Sequence, residues 1–188
     1  MPPLKANWQK IVERKRAELD AAVPAAWKLQ EADNPSPRIL RDVSHHIRRS
    51  LSQNELLITE TPGPSILFKL STGQWTSVDV TSAFCHRAAI AHQLTNCLTE
   101  IFFESANRRA IELDEYFISH GASSGPLHGL PVSLKDRFHL RGLDSTCGYV
   151  SWINHHMTSE DEGTLIKELR ELGAVFFVKT NVPMSMVV

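Results

Sequence analysis

The residues best placed to do chemistry lie in one stretch of this 188-residue chain, Gly125-Pro126-Leu127-His128-Gly129-Leu130-Pro131-Val132-Ser133-Leu134-Lys135-Asp136. Its glycines and prolines predict an irregular approach, followed by a short strand that delivers Lys135 at its C-terminal end. In open α/β sheets, ligands collect outside the carboxyl ends of strands. Period-2 alternation puts Val132 and Leu134 on one face and Ser133 and Lys135 on the other. Asp136, adjacent in sequence, points away from Lys135 and is a poor partner for it. Two readings follow. Lys135 is a solvated strand-end charge, or it is sheltered from water and neutral, so that it can accept a proton. Burial disfavours an ammonium, and Arg137, two residues on, adds like-charge repulsion in the same direction.

Other candidates carry less. Cys85, Cys97 and Cys147 form no C-x-x-C pair, and Cys85 and Cys147 sit among apolar or small neighbours and read as buried thiols. His45-His46 and His155-His156 are adjacent pairs that point apart, with no carboxylate or thiol framing them, so no metal site is expected. Neither G-x-G-x-x-G nor G-x-x-x-x-G-K-[ST] occurs, which leaves a nucleotide-binding βαβ unit without support. Twenty basic and 21 acidic side chains give a formal charge of −1, so there is no overall field for nucleic acid or an anionic membrane. No apolar run reaches the ~18 residues of a membrane span, and the first residues show no apolar signal region. The expectation is a soluble cytoplasmic protein.

The elements that must position Lys135 can be read from periodicity. Trp8, Ile11, Val12 and Leu19 recur at helical spacing, and Pro24 ends the segment. This predicts an amphipathic helix laid on a larger body, its lysines and arginines in solvent. A basic nucleic-acid arm is the alternative, since the first 50 residues hold ten Lys/Arg against six Asp/Glu. Breaker-rich loops are expected at Glu31–Pro37 and at Thr61-Pro62-Gly63-Pro64. Thr76 with Asp79 caps a helix whose Val80, Phe84, Ala88, Ala91 and Leu94 share a face. Ala106, Ala110, Leu113 and Phe117 mark another, stopped by Gly121. Ser159 with Glu162 predicts a capping box for a third. Leu165, Ile166, Leu169 and Leu172 are its buried stripe, and Gly173 is its C′ residue. A strand at Val132–Lys135, this helix, and the apolar run Ala174–Val178 ending at Lys179 make a βαβ unit with a parallel strand pair.

The stretch G-P-L-H-G-L-P-V-S-L-K-D resembles the amidase signature family, in particular its acetamidase and general amidase branch. The resemblance continues through Gly142-Leu143-Asp144-Ser145-Thr146 and Val178-Lys179-Thr180-Asn181-Val182-Pro183. It reaches back to Trp75–Thr81 and His92–Glu100, covering residues 64 to 186 or so. The resemblance implies an α/β fold, the N-terminal part of a mixed sheet wrapped by helices. The division implied is an N-terminal helical extension over 1–60 and the N-terminal portion of the amidase domain over 61–188.

It further implies a hydrolase that converts carboxamides to carboxylic acid and ammonia without metal or cofactor. Family members use a nucleophilic Ser, a bridging Ser on a cis peptide, and a Lys, and Lys135 matches the Lys. Met186 matches a position that lines the acyl pocket in some relatives, with a plain packing methionine as the alternative. Both catalytic serines lie downstream in the family, in a Gly- and Ser-rich stretch that is not found after Lys135. Ser133 and Ser185 match neither, and Gly121-Ala122-Ser123-Ser124-Gly125 lies on the wrong side of Lys135 and reads as a turn. Met184 and Arg137 depart from the family pattern. The chain is therefore expected to hold the base without its nucleophile and to be inactive alone. Its expected partners are a small-molecule amide and either a second copy or a complementing C-terminal chain. A non-catalytic fragment acting only through association is the alternative.

Overall fold

A computed structural model describes residues 7–30 and 42–183. The Glu31–Pro37 loop and positions Met184, Ser185 and Met186 lie outside the described residues. Helix α1 (Asn7–Ala22) is followed by a 3-10 turn at Ala25–Trp27, and three short helices come next, α2 (Ser44–Arg49), α3 (Gln53–Thr59) and α4 (Gly63–Ser71). Then come α5 (Ser77–Thr95), β1 (Leu98–Ile101), α6 (Phe103–His120), β2 (Pro131–Lys135), a 3-10 turn at Val150–Trp152, α7 (Thr164–Glu171) and β3 (Val175–Thr180).

The fold is mixed α/β. The sheet runs β1-β3-β2, with β1 antiparallel and β2 parallel to β3. The parallel pair with α7 between its strands is the expected βαβ unit. Central β3 is buried through Lys179 because it is covered on both faces. Val175 and Phe177 pack with Cys85 and Ala89 of α5 and with Phe103, Ala106 and Leu113 of α6. Phe176 packs instead with Leu134, Leu140 and Ile166. Such a strand reads as a continuous apolar run rather than an alternation.

Caps agree with the sequence in two helices and depart from it in a third. Thr76 Oγ1 accepts from Asp79 N at 3.0 Å, and Asn96, in the left-handed region, ends α5. Gly121 ends α6 in the same conformation. The capping box expected at Ser159 and Glu162 is not formed. Thr158 and Asp161 make the reciprocal bonds, in a turn that precedes α7, and the α7 N-cap is Gly163. Glu162 is drawn away because Arg170, one side of the helix further on, grips its carboxylate with two bonds of 2.5 and 2.7 Å. A capping box does form at Ser52 and Glu55, at the start of α3. In α7, Ile166 is buried, but Leu165 and Leu172 are exposed, so the buried stripe is narrower than its leucines suggest.

Candidate active site

The glycine–proline approach to β2 is a clamp on the end of α7. Leu127 N donates to Leu172 O and Gly129 N to Gly173 O, both at 2.9 Å, and Val175 N donates back to Leu130 O at 2.9 Å. Two backbones can come this close only where no side chain intervenes. A Cβ on Gly173 would sit 2.8 Å from His128 Cα, and its φ of +99° is a conformation that L residues rarely adopt. His128 is buried in the clamp. Its Nδ1 accepts from Ser124 N at 3.1 Å, which assigns the proton of the neutral ring to Nε2, and burial lowers its pKa. The clamp sets β2 beside β3 with Leu134 opposite Lys179 and Lys135 opposite Thr180.

Lys135 stands where the sequence places it, at the C-terminal end of β2, on the face it shares with Ser133. The shelter expected for it is not found among the described residues: Ser133 and Lys135 are both exposed. β2 is the outer strand of the sheet, and among the described residues nothing buries its Ser133–Lys135 face. Arg137 lies in the turn beyond the strand, exposed, its guanidinium 5.6 Å from the Phe138 ring centre.

The buried lysine is Lys179, whose side chain is 0% exposed. Its Nζ donates to Asp144 O at 2.5 Å and to Ser145 Oγ at 2.9 Å, and lies 3.4 Å from Asp136 Oδ1. Asp136 is fully buried too, and it accepts from Thr146 Oγ1 at 2.7 Å. Burial lowers the pKa of Lys179, and the charges of Asp136, Glu100 and Asp144 oppose that shift. A second lysine closes the cluster from α1. Lys15 Nζ sits 2.5 Å from Glu100 Oε1 and 3.7 Å from Asp144 Oδ2. Burial raises the pKa of Glu100, and Lys15 pulls it back. Asp144 also accepts from Asn154 N at 2.8 Å and lies 3.1 Å from His156 Nδ1. The carboxylate that His155-His156 lacks in sequence is thus supplied through the fold.

Sequence reasoning missed this cluster. The lysines and arginines of α1 were expected in solvent, and Lys15 turns inward. Asp136 was set aside as a partner for Lys135, correctly, but its true partner sits on the next strand. A signal was present: Lys179 ends the apolar run Ala174–Val178, and a lysine that continues a buried strand needs an acid nearby. Cys85 and Cys147 are buried as expected, and burial pushes the Cys85 thiol up to about 12. Among the described residues, no group of His, Cys, Asp or Glu is arranged to hold a metal ion, and no helix is long and apolar enough to cross a membrane.

Comparison with known proteins agrees with this architecture. The amidase family model matches residues 79–188. An acetamidase of Emericella nidulans is 44% identical over 97% of this chain and 32% of its own length. An amidase of Gibberella moniliformis is 43% identical over 97% of this chain and 35% of its own. Among solved structures, a fatty acid amide hydrolase superposes with a TM-score of 0.84 at 35% identity, over 94% of this chain and 32% of its own. The chain spans about a third of the length of the relatives it matches. On the family match and these likenesses, the chain belongs to the amidase family.

Proposed function

We propose that this chain is the base-bearing part of an enzyme that hydrolyses small carboxamides to carboxylic acid and ammonia, with Lys135 as the base. The observation that carries the reading is the clamp. A loop whose Gly125 and Gly129 have no room for a side chain leads into the strand that ends at Lys135, beside a parallel partner and inside the segment the family model matches. In the reaction, unprotonated Lys135 Nζ takes a proton from a bridging serine while that serine takes one from the nucleophilic serine. The nucleophile's Oγ forms a bond to the amide carbon, and the C–N bond breaks as the nitrogen receives a proton and leaves as ammonia. Water then hydrolyses the acyl ester through the same relay. Both serines come from polypeptide outside these 188 residues. That polypeptide would also cover the exposed face of β2 and exclude water from Lys135, which favours the unprotonated amine.

Met186 remains our candidate for the acyl pocket, on the resemblance alone. The free thiols of Cys85, Cys97 and Cys147 suit a reducing compartment, which supports a cytoplasmic assignment. The test is to join this chain to the C-terminal two thirds of the acetamidase relative and measure ammonia released from acetamide. The fusion is expected to turn over, and Lys135→Ala to reduce kcat by roughly 10²–10⁴-fold, the usual loss for a general base. A Lys135→Ala fusion as active as its parent removes the role. The 188 residues alone are expected to release no ammonia.

A further inference from the structure

We propose that Asp136 and Lys179 are positioning residues for Lys135, a buried ion pair on the inner side of the β2–β3 ladder that fixes how the outer side presents the base. The proposal rests on the reading of Lys135 as the base and adds the residues that hold it.

Three observations carry it. The first is adjacency across the strand. Lys135 and Asp136 are consecutive, so their side chains leave opposite faces, one exposed and one fully buried. Asp136 N donates to Thr180 O at 2.9 Å, which ties the same peptide to β3. Backbone and buried side chain therefore hold one point, and the direction of the Lys135 Cα–Cβ bond follows from it.

The second is that both members of the pair are held by further hydrogen bonds. An ammonium has three N–H donors; Lys179 donates to Asp144 O and Ser145 Oγ and faces the Asp136 carboxylate as an ion pair, with Nζ 3.4 Å from Oδ1. Asp136 receives Thr146 Oγ1 at 2.7 Å and Thr146 N at 3.4 Å as well. Ser145 Oγ in turn donates a hydrogen bond to Phe138 O at 3.0 Å. The segment from Asp136 to Thr146 is thereby folded around one ammonium, immediately behind the base.

The third is energetic. A buried ion pair adds little stability over two apolar side chains of similar volume, because both charges lose their water. Direction is what it adds, since each bond fixes an angle as well as a distance. Direction matters most next to a group that must meet a serine hydroxyl within hydrogen-bond range, where a misplacement of ~1 Å costs on the order of 10²-fold in rate.

Two measurements test the proposal. In the 188-residue chain, the double variant Asp136→Asn, Lys179→Met removes the charges without stranding either. Its amide at position 136 is expected to exchange with solvent about tenfold faster, with α5 amides unchanged. Unchanged exchange at 136 overturns the proposal, and so does equal acceleration in α5, which would mark a general loss of stability. If the double variant does not fold, Thr146→Val, which removes one donor to Asp136 at constant shape, is read in the same way. In the acetamidase fusion, Thr146→Val is expected to lower kcat about fivefold with KM unchanged, and Thr146→Ser, which keeps the hydroxyl, to restore it. Parent-like kcat in Thr146→Val overturns the positioning role. An inactive parent fusion counts against the amidase reading, and the exchange measurement then decides the positioning of the strand end by itself.

Discussion

Lys135 and Lys179 end neighbouring parallel strands one register step apart, yet they have opposite surroundings. Lys179 is walled in by Asp136, the Asp144 carbonyl and Ser145, whereas Lys135 is exposed. On the proposed function, Lys179 must stay paired, and Lys135 must be able to give its proton up. Arginine separates the two roles, because a guanidinium does not deprotonate in the working range. Lys135→Arg in the acetamidase fusion is therefore expected to be as inactive as Lys135→Ala, while in the 188-residue chain, where Lys135 is exposed, the same substitution is expected to leave the fold unchanged. Ammonia assay of the fusion and a thermal melt of the 188-residue chain check the two statements, and a Lys135→Arg fusion with parental turnover contradicts the base role. Gly173 is the other single residue on which the site depends. Gly173→Ala is expected to cost about 2–4 kcal/mol, combining the left-handed φ with the collision against His128. A urea midpoint equal to that of the parent would show that the clamp gives way easily.

At the scale of elements, β2, α7 and β3 form the piece that holds Lys135, the proposed base. Their existence and parallel pairing are legible in the sequence, because the alternation at Val132–Lys135, the helical leucines and the apolar run of β3 have distinct periods. What period cannot reveal is which side chain defects from its element. Glu162 is the clear case: its spacing from Ser159 spells a cap, but Arg170 and the Arg141 amide take its carboxylate. The Arg170 hydrogen bonds hold Glu162 at about 2, against an ordinary 4.5. A carboxyl depressed on folding stabilises above its unfolded pKa, and the contribution disappears as pH falls toward the folded value. Glu162→Gln is therefore expected to be less stable than the parent from neutral pH down to about pH 5, with the two stabilities converging by about pH 2. Urea midpoints across that range measure it, and a gap that stays constant with pH would contradict the assignment. Lys15 was unreadable for a related reason. On α1 it looks like any other cation of a solvated face, and only the docked helix brings Glu100 and Asp144 beneath it.

For the molecule as a whole, the question is whether residues 1–60 are an appendage or part of the body. We treat them as an extension of the amidase portion at 61–188, but the contacts make that extension interlocked rather than autonomous. The Trp27 ring stacks on His86 at 4.9 Å and meets Phe103 edge-on at 5.7 Å. Val23 joins the same cluster as Cys85, Leu98 and Val178, and Ile47 and Leu51 pack with Ile90 and Leu94 of α5. The relatives match this chain over 97% of its length, so they share these N-terminal elements with it. Removing residues 1–60 would uncover the apolar flank of α5 and take Lys15 from Glu100 and Asp144. The uncovered apolar flank is the larger loss, since burial of such side chains contributes about 1.5–3 kcal/mol each against the 5–15 kcal/mol typical of a domain. The deletion is accordingly expected to lose its cooperative thermal transition and near-ultraviolet circular dichroism. The intact chain should melt in one step, with tryptophan fluorescence and far-ultraviolet signals coincident. Were the deleted chain to melt cooperatively within a few degrees of the parent, the clamp, the ion pair and Lys135 would form a body independent of α1, and the Lys15 contact would be dispensable to the site.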